Sequence, residues 1–297
     1  MKNTIIFYDG DMDGFAGAWA AWTLFGNDGA EYVMRQRDRS LAEQHSGVAE
    51  VLTRGVQRPE LSLYCIDFCP SREELLLLDE TIGKVQVIDH HATTKEVCGD
   101  LTNLVTCDTS RSACALAWQV FHCSNPPLIL LFVEDRDLWR WQMEYSPEVN
   151  AWLSSLESFK DKDLEGFNAV SRLTDWDRMR SEGSAILRSQ ESWVDFASQI
   201  ADYRKFEERL AVVVNSPIFR SEIGSALLEK CPEADLALCW WEHNGIRHYS
   251  LRSRGADECD VGKIAENFGG GGHPQAAGFA VCVEETEVIE SLLEPVA

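Results

Sequence analysis

Apolar residues in the first half of the chain come in short runs that stop at acids. Residues 4–8 run into Asp9, 63–66 into Asp67 and 84–88 into Asp89. Apolar runs of this length bounded by polar turns read as buried strands, and residues 31–36 read as another. Between them the period changes. Phe15, Trp19 and Trp22 recur at helical spacing within residues 15–25. Gly17 lies inside that helix, where glycine costs about 1 kcal/mol relative to alanine, so close packing against the sheet is expected. Residues 71–82 form a helix opened by Ser71-Arg72-Glu73-Glu74, the pattern of a capping box. Residues 110–121 and 128–134 are helical in pattern, the second running into Asp135. Strands alternating with helices predict a mainly parallel sheet, and ligands of such sheets gather beyond the carboxyl ends of the strands. Asp9 to Gly14, Asp67, Asp89-His90-His91 and Asp135 are the four motifs expected at that edge.

From residue 146 to about 209 the pattern is helical and charged, with Trp152, Trp176 and Trp193 spread through it. Beyond it the texture changes. Residues 236–242 and 247–253 flank His243-Asn244-Gly245, a hairpin signal built on Asn-Gly. A short helix over 261–268 precedes the glycine run 269–272 and His273, followed by a last strand and an acidic terminal helix. The fold class is therefore α/β: an N-terminal, mainly parallel sheet flanked by helices over residues 1–155, a helical connector over 156–209, and a smaller C-terminal α/β domain with a mixed sheet over 210–297.

Composition narrows the function. The 297 residues carry a net charge of −22 and are 45% hydrophobic. Such acidity on a chain with enough apolar residues for a packed core is a solvated surface, not disorder. It argues against a groove for long or duplex nucleic acid, which needs a basic stripe. A short anionic substrate fits if metal ions and a few local arginines invert the field. The ten cysteines form no CxxC pair and read as reduced thiols of an intracellular protein. No signal peptide is expected, and the longest apolar run, 127–133, is too short for a bilayer, so the chain is expected in the cytoplasm, away from membranes.

Asp9, Asp11 and Asp13 alternate within one loop, and residues 87–94 end a strand in an acid, two adjacent histidines and small hydroxyl residues. Carboxylates and imidazoles hold hard or borderline cations. Three acids at this spacing can share two cations if a further carboxylate bridges them, and Asp67 is the candidate bridge. The ordered series covers residues 8–19, Asp67, Asp89-His90-His91, residues 109–113, residues 135–139, Ser250-Leu251-Arg252-Ser253 and Gly270-Gly271-Gly272-His273. It resembles the DHH phosphoesterase superfamily, RecJ-like or nanoRNase-like, with the associated C-terminal substrate-binding domain.

The resemblance implies two divalent ions, manganese first and magnesium or cobalt next. Asp9, Asp11 and Asp67 would hold one. Asp13, Asp67, His90 and Asp135 would hold the other, with Asp137 the rival to Asp135. Asp89 would orient a histidine and His91 would meet the phosphate or the leaving group, so that Asp67, His91 and Asp89 carry the chemistry. Arg111, Arg252, Ser253, Gly270, Gly271, Gly272 and His273 would bind substrate. One departure stands out. The family usually has a histidine where this chain has Asp9, which means either a carboxylate ligand suited to harder ions or a weakened ion and reduced activity. The expected activity is metal-dependent hydrolysis of phosphoester bonds in short oligonucleotides or small (di)nucleotides. The alternatives are a nucleotide-binding sensor or regulatory protein with a crippled site, or an exopolyphosphatase-like hydrolase. A homodimer is compatible with the sequence, which sets no oligomeric state.

Overall fold

A computed structural model of the chain describes residues 2–37, 39–172, 175–206, 208–255, 257, 259–286, 289 and 293–295. It divides into two compact units, Met1–Leu187 and Arg188–Ala297.

The first unit is built on a five-stranded sheet. Strands β1 (Thr4–Tyr8), β2 (Glu31–Met34), β3 (Arg58–Ile66), β4 (Ile82–Asp89) and β5 (Val105–Cys107) stand in the order β2-β1-β3-β4-β5. Every pairing between them is parallel, as the alternation of strands and helices predicts. Strand periodicity splits the core into two layers. Ile6, Tyr8, Tyr64, Ile66 and Ile88 face one cluster, with α1 (Met12–Gly29), α6 (Ala113–His122), α7 (Leu128–Asp137), α8 (Ser146–Ser155) and α10 (Leu164–Ser171) contributing to it. Ile5, Phe7, Leu63, Cys65, Val85 and Val87 face the other, covered by α2 (Leu41–Gln44), α3 (Ser46–Arg54), α4 (Arg72–Thr81) and α5 (Ala92–Cys98).

Local chemistry sets the element ends. Asp11 caps α1 by accepting from Gly14 N at 3.0 Å, so the helix begins at Met12, earlier than its apolar period suggests. Gly17 is as crowded as expected: a Cβ there would lie 2.5 Å from Cγ2 of Ile66, the residue before Asp67. The Ser71–Glu74 capping box of α4 forms in both directions. Helix α7 places Asp135 and Asp137 on its last turn, so the fourth motif sits on a helix and not at a strand end.

Residues 156–209 are shared between the units. Helices α9 (Glu157–Lys160) and α10 lie in the first, where α10 packs on α1. Helix α11 (Trp176–Gln199) crosses the division, and β6 (Asp202–Phe206) belongs to the second unit's sheet. That sheet also contains β7 (Arg209–Asn215), β8 (Leu236–His243), β9 (Ile246–Ser253), β10 (Gly271–His273), β11 (Ala276–Cys282) and β12 (Leu293–Pro295), in the order β10-β11-β9-β8-β7-β6-β12. It is mixed, as expected, because β7 and β8 run parallel and the other pairs antiparallel. Helices α12 (Arg220–Lys230) and α13 (Val261–Glu266) pack on it. Asn244 and Gly245 turn the β8–β9 hairpin with φ of 50° and 76°, the positive pair that Asn-Gly favours. The expected terminal helix falls largely outside the described residues. All ten cysteines are free thiols, and no helix among the described residues is long and apolar enough to cross a membrane.

Candidate active site

Three neighbouring strands deliver acids to one edge. The backbone passes directly from β1 into Asp9, from β3 into Asp67 and through Asp89, the end of β4, into His90 and His91. The ladder holds these residues in step: Asp9 N donates to Ile66 O at 3.1 Å and Asp67 N to Ile88 O at 2.9 Å. Asp67 leaves its strand with φ of 68°, a left-handed conformation that costs a non-glycine residue energy and is often found at functional sites.

Two further acids come from helices. Asp13, in the first turn of α1, accepts from Ala113 N at 2.7 Å and Cys114 N at 2.9 Å, so the amides opening α6 fix its carboxylate. Asp137 comes from the end of α7. Around these acids His90 is buried, with Nε2 3.3 Å from Asp67 Oδ1, 3.5 Å from Asp137 Oδ2 and 3.7 Å from Asp13 Oδ2. Beside it Asp89 accepts from His90 N at 2.7 Å and from the Thr94 hydroxyl, and its Oδ1 lies 2.7 Å from His91 Nδ1. Asp89 thus holds the ring of His91.

The buried acids repel one another. Burial, then the neighbouring Asp11, Asp13 and Asp137, push the Asp67 carboxyl well above its usual range. Burial and Asp13 do the same to Asp137, and burial raises Asp13 in spite of His90. Burial lowers His90, favouring neutral imidazole. Burial also disfavours charge on Asp89 and His91, yet their mutual hydrogen bond overrides it, lowering Asp89 and raising His91. The two adjacent histidines are therefore driven apart.

Two of the buried oxygens, Asp67 Oδ1 and Asp137 Oδ2, accept no hydrogen bond among the described residues. Buried carboxylate oxygens normally find a partner. A divalent cation would supply one, and a donor set of carboxylates with an imidazole suits a hard or borderline ion. Asp13, His90 and Asp137 converge within 4.8 Å of one another, as do Asp9, Asp11 and Asp67. The residues present fit metal binding at both places.

Asp135 does not join this cluster. Its carboxylate accepts from Gln142 N at 3.0 Å and Met143 N at 3.2 Å, pinning the loop after α7. Successive helical residues turn by about 100°, so residues two apart point away from each other and only one of the pair can face the acids. The structure gives that place to Asp137. Arg111 is likewise engaged, its Nε 2.8 Å from Glu134 Oε2.

Two cations at the edge were not singled out in the sequence. Arg37, just after β2, donates to Asp9 Oδ2 at 2.6 Å. Lys162, from the expected connector, donates to Gly10 O at 2.5 Å and lies 3.9 Å from the Phe159 ring centroid. The strand-edge rule could have found Arg37, since β2 is the neighbour of β1. Nothing local marks Lys162.

In the second unit Arg252 projects from β9 and donates to Leu251 O at 2.8 Å and to the Ser221 hydroxyl. Ser253 is not beside it. Strand alternation turns Ser253 to the opposite face, where it is buried and its hydroxyl donates to Pro274 O at 3.2 Å. The glycine run is a strand edge more than an open loop. Gly271 and Gly272 pair with Gly278 and Ala277, and Gly270 N donates to Ala265 O at 2.9 Å. A Cβ on Gly270 would lie 2.2 Å from Gly278 O, so close strand approach alone accounts for that glycine, whereas Gly271 faces open space. His273 is half-buried at the end of β10.

No family model matches the sequence. The chain is 26% identical over 291 residues to the uncharacterized protein R106 of Acanthamoeba polyphaga mimivirus, covering 94% of this chain and 67% of that protein. It is 23% identical over 312 residues to the oligoribonuclease NrnB of Bacillus subtilis (strain 168), covering 95% of this chain and 74% of the other. Among solved structures, exonuclease RecJ bound to manganese superimposes with a TM-score of 0.53 at 17% identity, over 98% of this chain and 89% of RecJ. The chain thus shares the fold of RecJ, and it carries the acid and histidine motifs that follow β1, β3 and β4 to one sheet edge, the arrangement in which it resembles the DHH phosphoesterase superfamily.

Proposed function

We propose that the chain hydrolyses phosphoester bonds of short oligonucleotides or small (di)nucleotides, using two divalent ions, manganese foremost. The observation that carries this is Asp67: buried, in a strained conformation, with one carboxylate oxygen that accepts no hydrogen bond, between the Asp9–Asp11 loop and the Asp13–His90–Asp137 group. When bound, the ions supply activated water and charge compensation at phosphorus. Asp13, His90 and Asp137 would hold one, Asp9 and Asp11 the other, and Asp67 would be within reach of both. Asp89 fixes the ring of His91, which meets the phosphate or the leaving group. In the second unit, Arg252 offers a guanidinium for two-point phosphate contact, and Gly271 and His273 are proposed as phosphate-binding groups of that unit.

The substrate class rests on likeness to an oligoribonuclease and on the net charge of −22, which disfavours long strands. The proposed setting is the cytoplasm. The Asp9–Arg37 pair supports a second reading, a weakened nucleotide-binding relative. Mononucleotide release from an RNA dinucleotide separates them. With manganese, release should exceed the level in excess chelator by at least about a hundredfold, equivalent to ~2.7 kcal/mol in barrier. Binding of the dinucleotide without release at saturating manganese would contradict the hydrolase reading, and release from polyphosphate alone would replace the substrate class.

A further inference from the structure

The two cation positions are unequal. Both oxygens of Asp9 are taken by protein donors: Oδ2 by Arg37 Nη2 at 2.6 Å, and Oδ1 by Gly10 N at 2.7 Å and Arg37 Nε at 3.3 Å. At the other position Asp137 Oδ2 accepts no hydrogen bond, and the atom facing it is the imidazole Nε2 of His90 at 3.5 Å. Asp67, 2% exposed and with an unaccepting Oδ1, stands within ligand reach of Asp9 and Asp11. One acid of the Asp9–Asp11–Asp67 position, Asp9, therefore already has a cation, and that cation is a side chain.

The guanidinium is held by two hydrogen bonds to Asp9 on an otherwise exposed side chain. The Arg37 side chain is 70% exposed, against 9% for Asp9. It enters from the solvent side, from the segment following β2. Ion pairs whose cation is this exposed are screened by salt, whereas a divalent ion carries twice the charge and at this position would gain ligand atoms of three acids. A guanidinium released from a carboxylate is also shaped to take a phosphate by two parallel hydrogen bonds.

From this geometry, and resting on the metal-dependent reading above, we propose that Arg37 is a displaceable counter-cation. It neutralises Asp9 until a divalent ion enters the Asp9–Asp11–Asp67 position, and then turns outward to take a phosphoryl oxygen of the substrate. The second ion is thereby weakened in the free protein and strengthened when a phosphate is present to receive the guanidinium. The carboxylate at position 9 and the arginine at position 37 work as a unit.

Manganese binding followed by the EPR signal of the free ion tests this without turnover. The wild type should show one tight and one weaker ion, and Arg37→Gln should tighten the weaker one about tenfold while leaving the tight one unchanged. One ion in the wild type and two in the variant is the same result in its strong form. Adding inorganic phosphate should tighten the weaker ion in the wild type and do so less in the variant. Two ions in both proteins with unchanged affinities, or a weaker second ion in the variant, would overturn the role of Arg37 and leave the metal-dependent reading standing. No ion in either would overturn both.

Discussion

Asp67→Asn is expected to cut hydrolysis about a thousandfold and, in metal-free protein, to raise stability. The carboxylate is buried among Asp11, Asp13 and Asp137, whose charges and the loss of water push its proton affinity up. A neutral amide removes that repulsion and can donate to a neighbouring acid. Asparagine also tolerates the left-handed backbone at φ 68°, so the substitution adds no strain. The gain should be about 1–2 kcal/mol, in the range seen when a functional site is relieved of its conflict. Loss of the carboxylate serving both ions should cost about a thousandfold in kcat/KM, equivalent to ~4 kcal/mol of transition-state stabilisation. The order of stability then inverts with metal, because ligand at 100 times its dissociation constant stabilises by about 2.7 kcal/mol and the variant forfeits most of this. Thermal denaturation with and without manganese, alongside the rate, reads both effects. A variant that melts lower than wild type without metal, or that keeps its rate, contradicts the assignment.

Asp135 and Asp137 should fail in opposite ways. Asp137→Ala removes a carboxylate that faces His90 and leaves the loop after α7 intact. Its rate should fall about a hundredfold or more, as when a single transition-state contact is lost, and its manganese affinity should fall with it, while the metal-free fold melts no lower. Asp135→Ala strips two amide donors, Gln142 N and Met143 N, of their acceptor. That should destabilise by about 1–2 kcal/mol and leave manganese affinity unchanged at temperatures where the protein is folded. Manganese titration and denaturation of the two variants give the comparison. The reverse pattern would return Asp135 to the metal and make Asp137 the structural acid.

That pair shows where the sequence runs out. The edge of acids after β1, β3 and β4 is legible because a strand's end is set by a local switch from apolar to polar residues. The capping box at Ser71, the Asn244-Gly245 turn and the crowding at Gly17 are legible for the same reason: each is decided within a few residues. Asp135 and Asp137 both follow one apolar run, and choosing between them needs the rotation of α7 about its axis, which packing fixes. Ser253 stands next to Arg252 in sequence and on the opposite face in the sheet. Arg37 and Lys162 reach the Asp9–Asp11 loop from 28 and 152 residues away, and no local pattern records such a distance. The glycine run reads as a phosphate wrap in isolation, but its pairing with β11 uses part of the backbone that a wrap would offer.

The most direct measurement is anomalous diffraction at the manganese edge from crystals grown with manganese. The account predicts a strong peak bounded by Asp13, His90, Asp137 and Asp67, and a weaker one beside Asp67 toward Asp9 and Asp11. A cluster without manganese at concentrations that support turnover, or a peak ligated by Asp135, would contradict it.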